Sequence, residues 1–324
     1  MKGHAGTKLA DFAPRDAALE AEIIAGLRAT PRTLPPKYFY DERGSQLFEQ
    51  ITQLPEYYPT RTEIGVMQNN IAEIVRRAGH RASLIEFGSG SSTKTRILLD
   101  HLEELAAYVP VEISRDHLLA TVEQLAADYP HIEMLPVFAD FTQRFDLPEP
   151  KVMPVKNIVF FPGSTIGNFA PEQAVELMRV MAEEAKAGGA LLIGVDLKKD
   201  PGTLEAAYND AQGVTAEFNL NMLKRLNREM SGTFVLANFE HKALYNSLAG
   251  RIEMHLVSRC DQRFSVAGET FSIAKGETIR TECSYKFTNE EFAALASAAG
   301  FSVAAVWTDD QQLFSVQYLN CISS

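Results

Sequence analysis

The segment Ile85–Thr95, IEFGSGSSTKT, constrains this chain more than any other. It reads as a buried strand ending at Phe87, a Gly88-x-Gly90 turn, and a helix beginning at Thr93. Glycines at such a turn let the backbone approach a ligand where a Cβ would collide. From Ser83 onward the short apolar runs SLIEF, YVPVEI, IEMLPVF, NIVFFPG and ALLIGVD alternate with helical stretches at 93–105, 114–127 and 171–187. Continuous apolar strands separated by amphipathic helices imply a parallel sheet covered on both faces, with right-handed connections.

The strand ends narrow the ligand. A dinucleotide fingerprint wants glycine at position 93, where threonine stands, and a phosphate loop wants glycine immediately before Lys94. The run LLIGVD ending at Asp196 imitates the magnesium aspartate of a P-loop enzyme, which keeps that reading as an alternative. Glu86, Gly88 and Gly90 fit the E-x-G-x-G form expected for S-adenosylmethionine. Glu112, 24 positions after Gly88, ends the next strand where an acid accepts hydrogen bonds from ribose hydroxyls. Asp140 and Phe141 end the third, an acid and a ring suited to adenine. Together these point to an adenosyl group without phosphates. At the fourth strand end, FFPGSTIGNFAP lacks the N/D-P-P-Y/F motif of nucleic-acid and protein-amide methyltransferases. Its Asn168 offers one neutral amide to a small polar ligand.

After Asp196 the pattern breaks. Helical stretches at 203–210 and 214–230 precede FEHKALYN, RIEMHLVSR, RFSV, TFSIA and TIRTECSYKF, which read as an antiparallel sheet. A helix over 289–299 and the strands FSVAAVWT and LFSVQYLN then close the chain as an α/β methyltransferase core ends, with an antiparallel final strand. The first sixty residues read as helices and loops, with Leu19, Ile23, Ile24 and Leu27 at helical spacing. Thr60 and Glu63 have capping-box spacing and predict a helix from there to about Ala78. The expected fold is α/β: a Rossmann-like class I methyltransferase core (61–196 plus 287–324) with a second α+β lobe for substrate (1–60 plus 197–286).

With 31 basic against 42 acidic residues the chain carries a formal −11, which argues against nucleic acid or an anionic membrane as partner. Three cysteines without CxxC spacing and seven histidines without HxxxH spacing give no structural metal and suit a reducing compartment. The first twenty residues hold no apolar run of a secretory signal, and the longest apolar stretches are too short to span a bilayer. A soluble, cytoplasmic monomer is expected.

Over TPRTLPPKYFYDERGSQLFEQITQLPEYYPTRTE, EFGSGSSTKTRILL, FPGSTIGNF, AYNDAQGVTAEFN, RIEMHL and TECSYKF the chain resembles the histidine Nα-methyltransferases of ergothioneine biosynthesis, from about Leu19 to the C-terminus. The resemblance implies transfer of three methyl groups from S-adenosylmethionine, as co-substrate, to the α-amine of L-histidine. The product is the betaine hercynine, in the first step of that pathway. It implies cofactor contacts at Gly88, Lys94, Asp140 and Phe141, with Glu112 where the family more often has aspartate. It places Asn168 and Tyr208 on the histidine carboxylate, and Tyr40, Phe48 and Gly163 around the α-amine. Tyr57, Met254, Glu282 and Ser284 fall to the imidazole, Met254 and Glu282 separating a histidine enzyme from relatives acting on other aromatic amino acids. On a strand, Glu282 and Ser284 share a face and Cys283 points away. His241 and His255 read as structural or surface residues.

The reaction is expected in the cleft between lobes, with the amine proton passing to a water near Tyr40 or Asn168. The alternatives are an N-methyltransferase of another aromatic amino acid such as tryptophan, a P-loop-like nucleotide hydrolase, and a non-catalytic S-adenosylmethionine sensor.

Overall fold

The computed structural model describes residues 9–12, 16–88, 90 and 92–322. Along the chain its elements are β1 (Ala10–Phe12), α1 (Asp16–Arg28), β2 (Arg32–Thr33), α2 (Glu42–Thr52), α3 (Tyr58–Ala78), β3 (Ala82–Phe87), α4 (Thr93–Leu99), β4 (Ala107–Glu112) and α5 (Arg115–Asp128). There follow β5 (Val137–Ala139), β6 (Lys156–Phe161), α6 (Pro171–Ala185), β7 (Ala190–Asp196), α7 (Pro201–Ala206), α8 (Val214–Glu229), β8 (Phe239–Asn246) and β9 (Arg251–Ser258). The last are β10 (Gln262–Val266), β11 (Glu269–Ile273), β12 (Thr278–Tyr285), α9 (Asn289–Ala298), β13 (Phe301–Thr308) and β14 (Phe314–Cys321). The chain divides into two compact units, 1–13 with 61–197 and 287–324, and 14–60 with 198–286.

The first unit is built on an eight-stranded sheet in the order β1-β5-β4-β3-β6-β7-β14-β13. The strands from β1 to β7 pair parallel, and β14 lies antiparallel to both β7 and β13. One register line crosses five strands through Val109, Ile85, Val159, Leu191 and Leu319, all buried. Side chains of this size each contribute about 1.5–3 kcal/mol when buried. That is why the inner strands read as unbroken apolar runs.

Several expectations need correction. Residues 10–12 form a strand that pairs with β5 in the first unit, whereas all of 1–60 was expected in the second. The helix after the glycine turn stops at Leu99, short of 105. The capping-box reading of Thr60 and Glu63 fails: α3 starts earlier, at Tyr58, and the Glu63 carboxylate is committed elsewhere.

The second unit holds a four-stranded sheet, β2-β12-β9-β8, and a separate β10–β11 hairpin. Only β2 is parallel to its neighbour. Helix α8 buries Phe218, Met222 and Leu226, one face at i, i+4, i+8. The pairing of β12 with β9 slips between Arg280↔His255 and Glu282↔Met254, so Thr281 is an extra, unpaired residue. Bulges of this kind re-aim side chains. By strict alternation Arg280 and Glu282 would share a face; the bulge places Glu282 opposite Met254 instead, on the other face of the sheet. Thr281 is buried and its hydroxyl donates to Asn219 Oδ1 of α8 at 2.7 Å, which fixes the bulge.

Candidate functional site

In the first unit the expected cofactor residues stand at or just after the C-terminal ends of β3, β4 and β5, with Lys94 in the first turn of α4, where ligands of open parallel sheets bind. Gly88 has φ +77°, and a Cβ there would lie 3.7 Å from the Phe141 ring. The glycine turn is held by His117, whose Nε2 donates to the Gly90 carbonyl at 2.8 Å. Glu112 accepts from the amides of Ile113 and Ser114 at 2.8 and 3.1 Å; burial pushes its carboxyl up and those amides pull it down. Asp140 Oδ1 accepts from Thr142 N at 3.0 Å. Phe141 packs against Phe87 and edge-on to Phe161, with ring centroids 5.7 and 5.8 Å apart. These residues suit an adenosyl group: two glycines with positive φ, Gly88 and Gly90, an acid turned in by its own loop, and a second acid beside an aromatic ring.

Glu86 does a different job. Its carboxylate is buried in the sheet, where it accepts from Thr95 Oγ1 at 2.8 Å and from the Tyr108 hydroxyl. Burial pushes its pKa up to about 8, against the downward pull of those two bonds. Thr95 lies in the first turn of α4, so Glu86 ties that turn to β3 from beneath.

A residue that sequence reasoning assigned to a helix cap is central here. Glu63 is 1 % exposed, receives the Lys94 ammonium at 2.5 Å and accepts the Gly163 amide at 2.9–3.0 Å. Lys94, the expected cofactor contact, and Gly163, expected beside the α-amine, are thereby held on one carboxylate. Gly194, in the middle of β7, leaves the space: a Cβ there would sit 2.0 Å from Glu63 Oε1. Ser164, next to Gly163, accepts the Asp196 amide at 2.9 Å. Asn168 closes the short 3-10 turn Thr165–Asn168, and its side-chain amide has no partner among the described residues.

In the second unit the expected substrate residues converge. Tyr40 and Phe48 meet edge to face at 5.7 Å, Phe48 and Tyr57 at 6.3 Å, and Tyr57 and Tyr208 at 6.2 Å. Phe218 of α8, which the sequence did not single out, packs on both Tyr40 and Phe48 at 6.0 Å. The Tyr208 hydroxyl donates to Ser284 Oγ at 2.9 Å. His241, expected to be structural, positions Tyr208: Nδ1 accepts from Asn219 at 2.9 Å and Nε2 donates to the Tyr208 carbonyl at 2.8 Å. Burial holds that imidazole below its usual range, and the two bonds define one neutral tautomer.

Glu282 and Ser284 share a face with Met254 and Ile252, their cross-strand partners. Burial pushes the Glu282 carboxyl up to about 7, with the nearby Lys286 charge pulling it down. Among the described residues no group donates a hydrogen bond to this carboxylate. Lys286 itself, absent from the sequence reading of the site, is 2 % exposed. Its only sequence signal is the two-residue step that continues Glu282 and Ser284.

A family model described as histidine-specific, S-adenosylmethionine-dependent methyltransferase matches residues 19–321. The chain belongs to that family. It is 43% identical over 310 residues to the histidine N-alpha-methyltransferase of Mycolicibacterium smegmatis, covering 93% of this chain and 95% of the relative. It is 32% identical to ergothioneine biosynthesis protein 1 of Neurospora crassa, over 90% of this chain and 34% of that longer protein. A 4-dimethylallyltryptophan N-methyltransferase of Claviceps purpurea is 26% identical, over 90% of this chain and 92% of the relative. Among solved structures, an S-adenosylmethionine-dependent methyltransferase from Clostridium acetobutylicum aligns with a TM-score of 0.51 at 8% identity, over 86% of this chain and 99% of that one, which concerns the fold alone. The protein is thus an S-adenosylmethionine-dependent methyltransferase of Rossmann-like class I architecture. Among its described residues no helix is long and apolar enough to cross a membrane.

Proposed function

We propose that this protein trimethylates the α-amine of L-histidine to hercynine, the opening step of a route to ergothioneine. The observation that carries the reading is the Glu282 carboxylate, half-buried, turned by a bulge onto the face of Met254 and Ser284, and without a donor among the described residues. Such a group needs a donor from its ligand, and an imidazole N–H supplies one. In the first unit Gly88, Glu112, Asp140 and Phe141 take the adenosyl group, while Glu63 presents Lys94 to the methionine carboxylate.

The co-substrate supplies an already activated sulfonium methyl. What the protein must add is alignment and a neutral amine. Low polarity around Tyr40 and Phe48 disfavours the ammonium form and so lowers the amine's pKa. The same rings attract the fixed cation formed by the third transfer. Within the second unit the Tyr208 hydroxyl donates to Ser284 at the expected ring pocket, and the amine proton leaves through water held near Tyr40. We assign the second unit the role of substrate lobe, and we expect a cytoplasmic monomer.

The second reading, a tryptophan-type substrate, is favoured by the name of the Claviceps relative. An indole N–H would also satisfy Glu282, but Ser284 beside it suits a second ring heteroatom. Incubation with S-adenosylmethionine and a panel of amino acids, followed by mass spectrometry, tests both. Stepwise gain of one, two and three methyls by histidine is expected; preferential methylation of tryptophan would overturn the reading.

A further inference from the structure

Behind the expected imidazole pocket lies a closed ring of three polar groups. Lys286 Nζ donates to Ser284 Oγ at 2.8 Å and to the Tyr208 hydroxyl oxygen at 3.1 Å, and Tyr208 donates to Ser284 at 2.9 Å. All three residues are buried, and the ammonium also lies 5.1 Å from the Tyr208 ring centroid. Lys286 keeps its place because its backbone amide continues the hairpin, donating to Gly250 O at 2.9 Å.

The ammonium fixes the direction of its own two bonds, and the geometry of the third has the Tyr208 hydroxyl donating to Ser284. An ammonium has three protons and no lone pair, so both hydroxyl oxygens must accept from it. A serine oxygen accepts two hydrogen bonds and donates one. Ser284 accepts from Lys286 and from Tyr208, so its acceptor capacity is filled. What Ser284 has left is its own proton.

We propose that Lys286 is a specificity-determining positioning residue: it holds Ser284 as a hydrogen-bond donor, so that the site takes a ring with an unprotonated, lone-pair nitrogen and rejects a ring whose only nitrogen is an N–H. Imidazole offers both a lone pair for Ser284 and an N–H for Glu282. Indole and pyrrole offer only the N–H. The Lys286 charge also favours the ionised, accepting form of Glu282. This rests on the assignment of Glu282 and Ser284 to the substrate ring.

The test uses histidine and the two pyrrolyl-alanines, five-membered rings of similar size with an N–H and no lone-pair nitrogen. Each pyrrolyl-alanine competes with histidine in one tube, and the product ratio gives the ratio of kcat/KM. In Lys286→Met the preference for histidine is expected to fall at least tenfold, with S-adenosylhomocysteine affinity unchanged by calorimetry. Lys286→Gln keeps a polar group in the cavity and can turn an amide oxygen toward Ser284, so it serves if the methionine variant does not fold; the same fall is expected. Lys286→Arg, still a donor-only cation, should keep the ratio within threefold of wild type. Ser284→Ala should lower it as Lys286→Met does, and the double variant should fall no further. If Ser284→Ala lowers the ratio but Lys286→Met and Lys286→Gln leave it intact, or weaken all three substrates equally, the inference about Lys286 is wrong and the histidine reading stands. If Ser284→Ala and Glu282→Gln both leave it intact, the ring assignment itself fails.

Discussion

The two units treat a buried carboxylate in opposite ways. Glu86 and Glu282 are both pushed upward by burial, to about 8 and about 7. In the first unit the strain is answered from within, since Thr95 and Tyr108 donate to Glu86 and leave it nothing to ask of a ligand. In the second, Lys286 supplies charge but no described group donates to Glu282. A perturbed carboxyl is therefore not in itself a sign of a binding site. The hydrogen-bond inventory around it separates the frame from the reader.

The harshest way to probe the frame is at its glycine turn. Gly88→Val would place a β-branched side chain at φ +77° and beside Phe141, so S-adenosylmethionine binding is expected to fall more than about 100-fold, beyond the roughly 1–2 kcal/mol of backbone strain alone. Normal affinity in a calorimetric titration of the folded variant would remove Gly88 from the cofactor site. Next in size is the reader: Glu282→Ala should cost about 1.5–3 kcal/mol in histidine kcat/KM for a lost charge-assisted bond. Tryptophan should lose less, and an unchanged histidine-to-tryptophan ratio would mean that Glu282 does not read the ring.

Glu63→Gln keeps an oxygen for the Gly163 amide but removes the charge that holds Lys94. About 1–2 kcal/mol of S-adenosylmethionine affinity should go with it; an unaltered dissociation constant would show that Lys94 needs no such anchor. The smallest effect is on stability against pH. A carboxyl whose pKa is raised on folding holds a proton that the unfolded chain has released, so its stabilising contribution is complete below about 4.5 and is lost as pH rises through the folded value. Glu86→Gln should therefore flatten the fall of Tm between about pH 5 and 8, and Glu282→Gln the fall between about pH 5 and 7. A Tm profile of Glu86→Gln parallel to wild type would mean that Glu86 is ionised throughout.

The parallel core was legible because inner strands covered on both faces must be continuously apolar, and ALLIGVD or SLIEF could hardly be anything else. The glycine turn and the acids after it were legible for a related reason: ligand contacts fall at strand ends, so finding the strands located them. Glu63 was missed because its meaning depends on Lys94, Gly163 and Gly194, separate stretches that only the folded sheet brings together. The side-chain face of Glu282 followed from its spacing to Ser284, but the bulge at Thr281 that reverses it relative to Arg280 leaves no mark in the pattern of residue types. Lys286 looked like an ordinary lysine at a strand end, where exposure is the rule. The strand at Ala10–Phe12 is too short to show a period.

The place of β14 has a consequence for biosynthesis. It pairs with β7 on one side and β13 on the other, yet residues 198–286 must be made between β7 and the chain that completes the sheet. A growing chain thus carries the edge of a strand that ends fully buried, Ala190–Asp196, through the whole synthesis of the inserted unit. Open edges of this kind are templates for pairing with the wrong chain. The inserted residues can fold among themselves while that edge waits, so the timing of translation, and any chaperone that covers a nascent strand, bears on the yield of this enzyme as directly as the stability of the finished sheet.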